Sequence, residues 1–75
     1  MAINIQKFRE KYLEEYEALY NQEGEVAGYR EAVQAFDEFV KTHQAFVGEF
    51  VKFHGDFISS DREAAAFMFA LQALA

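Results

Sequence analysis

The sequence predicts an all-α protein: three helices, one long, central and heptad-patterned, flanked by two shorter ones, assembled as a dimeric helical bundle. Three observations carry this expectation. Apolar residues recur at steps of three and four along most of the chain, the period of a helix face. Pro is absent and Gly occurs four times, too few turn formers for an all-β fold. Finally, 75 residues bury a limited core, and with no Cys there is no disulfide to help, so oligomerisation is the remaining staple. The length allows one helical domain, residues 1–75.

The first helix is expected over about 5–20. Ile5, Phe8, Tyr12, Tyr16 and Leu19 form one stripe, with Leu13 and Tyr20 on its flank. Asn4 precedes it as a cap whose side-chain oxygen can accept a free backbone N–H. Glu10, Glu14 and Glu17 fall together on the opposite face. The polar run Asn21-Gln22-Glu23-Gly24 then turns the chain.

The second helix is expected over about 25–58. Val26, Tyr29, Val33, Phe36, Val40, His43, Val47, Phe50, His54 and Phe57 alternate steps of three and four without a miss. A heptad pattern of this length is a coiled-coil-like signal. Phe39, Phe46 and Phe53 widen the stripe, so the helix should face more than one neighbour. Gly48 and Gly55 each weaken it by about 1 kcal/mol relative to Ala, and a break is most expected near Gly55. Unbroken, it would be about 50 Å long, whereas a 75-residue globule is about 30 Å across. A second copy is expected to cover what protrudes. Val51 and Ile58 broaden the apolar face in the C-terminal half, which places the dimer core there.

The third helix is expected over about 60–74. Ser60-Asp61-Arg62-Glu63 has the form of a capping box, with Ser and Glu side chains satisfying free backbone donors reciprocally. Beyond it Phe67, Met68, Phe69, Leu71 and Leu74 leave Gln72 as the one polar position before the end. A helix apolar on every side is buried on every side. The expected core and dimer seam is therefore Phe46, Val47, Phe50, Phe53 and Phe57 against Phe67 and Leu71.

Composition narrows the function classes. The net charge is −6, from 13 acids against 7 bases. Such a chain is repelled by phosphate backbones, so direct nucleic-acid binding is not expected, whereas a basic protein surface is a fitting partner. An apolar content of 52% with nine Phe and four Tyr is far from a disordered acidic tail. The segment Met1–Lys7 has no apolar core of a signal peptide. The charge-free run from Ala64 to Ala75 is shorter than the roughly 20 residues that span a bilayer. A cytoplasmic protein with no membrane contact is the resulting expectation.

Chemistry is sparse. His43 and His54 occupy seam positions where Phe or Val would fit the pattern. Burial there would disfavour the charged imidazole, which makes them candidates for a pH-sensitive interface. Metal or haem ligation is the rival reading, but one chain separates them by about 16 Å of helix, and no Glu-x-x-His pair is present. The bland alternative is a pair of satisfied core histidines. Glu10, Glu14 and Glu17 could occupy a basic groove as a row of phosphates would, or simply keep the protein soluble. The Phe ladder is expected to be core rather than the lining of a ligand pocket. Ser60 is accounted for as a cap, and no Gly-rich phosphate loop exists, so neither an enzyme nor a cofactor is expected.

The function these features favour is a small acidic adaptor or inhibitor acting as a homodimer, for example an anti-defence or antitoxin-like blocker of a nucleic-acid-binding protein. The alternatives are a self-assembling scaffold protein and a ligand or haem binder using the seam histidines.

Overall fold

The computed structural model describes residues 3–74. Met1, Ala2 and Ala75, which end two of the sequence stretches read above, lie outside the described residues. Four helices and no strand occur among these residues: α1 (Ile5–Asn21), α2 (Tyr29–Thr42), α3 (Gln44–His54) and α4 (Asp61–Leu74). The all-α class stands, with four helices in place of three.

The caps explain where the helices begin. Asn4 Oδ1 accepts from the backbone N–H groups of Gln6 and Lys7 at 3.0 and 3.1 Å, satisfying two donors that the first turn leaves free. At α4, Ser60 Oγ accepts from the Glu63 N–H at 3.2 Å and donates to Glu63 Oε1 at 2.9 Å. The same carboxylate oxygen accepts the Ser59 N–H. The reciprocal bond of the expected box therefore goes one residue upstream of the cap.

The expected 25–58 helix is a correction. The segment before Tyr29 is not helical, and the chain breaks at His43 (φ −131, ψ 49), between α2 and α3. Neither glycine makes this break. Gly48 lies within α3, and Gly55 ends α3 in the left-handed conformation at φ 85. Thr42 and His43 are modest helix formers. The Thr42 hydroxyl donates to the Glu38 carbonyl at 3.0 Å, a back-bond that bends helices.

Packing supplies the reason for the break. Phe36 and Phe50 are 14 residues apart, about 21 Å along a straight helix. Their ring centroids lie 5.1 and 5.2 Å from that of Phe67. No straight helix brings both rings to one side chain. The bend at His43 lets Phe36 and Phe39 of α2 and Phe46 and Phe50 of α3 all reach Phe67 of α4, and the molecule measures 33 × 23 × 22 Å. The overhang, one ground for expecting a dimer, is gone.

The C-terminal helix, not the heptad-patterned one, is central. α4 packs chiefly on α1 and then on α2. It runs antiparallel to α1: Arg62 meets Tyr20 at one end, and Phe67 meets Phe8 farther along. Ala64, Ala65, Ala66, Phe67, Met68 and Ala70 are all buried. The alanines let neighbouring backbones approach, and the resulting space is filled by Phe67. Its ring packs against Phe8, Phe36, Phe39, Phe46 and Phe50, mostly edge to face. Such aromatic pairs add about 0.5–1.5 kcal/mol each beyond the area they bury. The middle of α4, from Ala64 to Met68 with Ala70, is thus buried within one chain, while Leu74 at its end is 41% exposed.

Candidate functional site

Helix α1 presents two exposed features side by side. At about 100° per residue, Phe8 and Tyr12 point into the core, and both are buried. On the far side stand Glu10, Glu14 and Glu17, all exposed, within about 60° of one another. Between core and ridge lies a narrow row of Arg9, Leu13, Tyr16 and Tyr20. Leu13 is 40% and Tyr20 65% exposed.

The ridge is unpaired. The ion pairs among the described residues are Lys11–Glu15 and Lys41–Glu38, each at 3.8 Å. Glu15 is half-buried beside Lys11, apart from the three ridge carboxylates. Glu10, Glu14 and Glu17 make a locally negative ridge along about 10 Å of α1 without an ion pair among the described residues, while Lys7, Arg9 and Lys11 lie elsewhere on the same helix.

Helix α3 joins the Arg9 side of this row. The Arg9 Nε–H donates to His54 Nδ1 at 3.0 Å, and the Arg9 guanidinium carbon lies 5.9 Å from the Phe53 ring centroid. A bond accepted by Nδ1 places the proton of the neutral ring on Nε2. His54 also stacks on Phe50 at 5.2 Å and meets Tyr12 edge-on at 5.4 Å. It is therefore a half-buried joint between α1 and α3.

The structure separates the other expected residues. Phe50 and Phe67 are fully buried, and Phe46, Val47 and Leu71 are partly buried against the same core. Phe53 and Phe57 depart from the expected seam: they are 47% and 74% exposed. Phe53 lies on the outer side of α3, whose facing is set anew after the His43 break. Phe57 lies beyond Gly55, where Asp56 Oδ1 accepts its backbone N–H at 2.9 Å. His43 is a further correction. It is exposed at the break, stacked on Phe39 at 4.4 Å, and not buried in a seam. The two histidines do not form a pair, and no three of His, Cys, Asp and Glu converge as a metal group among the described residues.

Arg9 is not among the site residues that the sequence leads one to expect. Nor are Leu13 and Tyr20, placed on the flank of the core stripe. Their common signal is the 9, 13, 16, 20 spacing, which forms a row of its own beside the core stripe.

Tyr12 shows how closed the inner side is. Burial, and then the negative charges of Glu63, Tyr16 and Asp56, push its hydroxyl well above the ordinary tyrosine value. Elsewhere, an open cleft of about 610 Å³ lies between the α1–α2 connection and the start of α4. Arg30 and Arg62 line it together with Glu25 and Glu31, so its charges balance. No helix among the described residues is long and apolar enough to cross a membrane.

No family model, curated protein or solved structure matches the chain.

Proposed function

We propose that this protein is a small, acidic, non-enzymatic binding module that docks on a basic protein surface through the outer face of α1. One observation carries the reading: Glu10, Glu14 and Glu17 are exposed on one ridge, without an ion-pair partner among the described residues. Unpaired charge of one sign along a rigid helix raises encounter rates with a surface of the other sign and selects against like-charged partners. Blocking the nucleic-acid groove of a basic protein is one form such a module takes. We base the reading on the single chain, because the helix-length reason for a homodimer no longer applies.

The test is a parallel capture with the wild type and the Glu10→Lys, Glu14→Lys, Glu17→Lys triple variant as baits. Three reversals move the net charge from −6 to zero. The expected result is a basic protein recovered by the wild type and lost from the variant, with helicity unchanged by circular dichroism. A partner that both baits retain equally would return the ridge to a solubility role.

A further inference from the structure

We infer that the exposed apolar margin beside the acidic ridge, formed by Leu13 and Tyr20 of α1 with Phe53 of α3 alongside Arg9, docks a cationic amphipathic helix of a partner protein. This inference rests on the reading above and specifies the chemistry of the partner. These three large apolar side chains are 40–65% exposed. Leu13 and Tyr20 are seven residues apart, about 10 Å along α1, or two turns. That matches the anchors at i, i+3, i+4 and i+7 of an incoming helix laid along its apolar face. Glu10 and Glu17 span the same two turns, rotated from Leu13 by about 40–60°. A helix with its apolar stripe on the margin would therefore carry the adjoining flank over the ridge, where Lys or Arg is favoured.

The margin also orients that helix. Arg9, bonded to His54, lies over the Phe53 ring, and the Arg62 guanidinium carbon lies 5.0 Å from the Tyr20 ring centroid. Two positive charges at the two ends of the row, Arg9 beside Phe53 and Arg62 beside Tyr20, repel a partner's basic flank, and three carboxylates attract it to the ridge side. The helix has one favourable rotation about its axis. A second copy of this chain is the poorer occupant, since each copy has a net charge of −6 and brings the same acidic ridge. An anionic lipid surface is disfavoured for the same reason.

The experiment uses two fluorescent peptides of identical composition. One is a Leu/Lys helix with Leu at i, i+3, i+4 and i+7; the other is a scramble with Leu spread around the helix. Anisotropy at physiological salt is expected to show the amphipathic peptide binding at least about tenfold tighter than the scramble. Leu13→Ser with Phe53→Ser should erase that preference while leaving scramble binding unchanged. Tyr20→Ser, at a 65% exposed position near the end of α1, repeats the measurement at a site where little packing is lost. The triple ridge reversal should abolish binding of both peptides. Equal affinity for the two peptides, unmoved by the margin variants, overturns the inference and leaves the ridge reading standing. No binding of either peptide contradicts both. A concentration-dependent dimer in light scattering that Phe53→Ser dissolves assigns the margin to a second copy and also overturns the inference.

Discussion

Phe67 and Phe53 are the same side chain in two settings. Phe67 sits among the alanines of α4 with rings from α1, α2 and α3 around it, and it exposes nothing. Phe53 lies on the outer side of α3 with the Arg9 guanidinium nearby and remains 47% exposed. Heptad spacing placed Phe53 and Phe50 on one broad stripe, yet their burial differs completely. Phe50 reaches Phe67 of the central helix and is buried, whereas Phe53 does not and stays exposed. An alanine-rich segment governs the core more than the phenylalanine-rich one does, because the alanines create the room that one large side chain then fills.

The largest effect that separates the two regions is expected at the hub. Phe67→Ala should cost about 3–5 kcal/mol. At roughly 4–8 °C per kcal/mol for a domain of this size, the melting temperature should fall by more than about 12 °C. A loss below about 1 kcal/mol would mean that the rings do not converge on α4.

An intermediate effect concerns Tyr12, at the inner edge of the margin. Its folded hydroxyl holds its proton above the ordinary value of about 10. The sign follows from proton counting. Above that pH the unfolded chain releases the proton and the folded chain keeps it. The contribution is thus complete below about pH 10 and is lost progressively as pH rises further. Alkaline denaturation should therefore be less steep for Tyr12→Phe than for the wild type, and tyrosinate absorbance should show one of the four tyrosines titrating last. Four tyrosines that titrate together would show that Tyr12 is open to solvent.

The smallest effect belongs to the exposed surface. Phe57→Ser should change stability by no more than about 0.5 kcal/mol, as surface substitutions do. A loss comparable to that of Phe67→Ala would mean that Phe57 is covered in solution.

Much of this architecture is legible in the sequence, because helix faces, caps and the apolar third helix are local properties. Asn4 and Ser60 act as caps where the spacing places them, and the Ile5 to Leu19 stripe faces the core. The acidic ridge is legible for the same reason, since 10, 14 and 17 share a face of any helix. The His43 break was not, because it is a tertiary event. Local propensity at Thr42-His43-Gln44 permits a helix, and the convergence of Phe36 and Phe50 on Phe67 outweighs it. An unbroken helix would give α3 the facing of α2 and bury Phe53, Phe57 and His43, all of which are exposed. The Arg9–His54 joint links residues 45 positions apart, and no pattern along the chain announces it.

The bend at His43 that brings Phe36 and Phe50 to one ring is the central claim, and one measurement tests it directly. In a mixture of isotope-labelled and unlabelled protein, filtered nuclear Overhauser spectra separate contacts within a chain from contacts between chains. The account predicts ring-to-ring contacts from Phe67 to both Phe36 and Phe50 within one chain, unchanged on dilution. Contacts from Phe67 to one of these rings seen exclusively between chains would contradict it, and would restore a straight helix in a dimer.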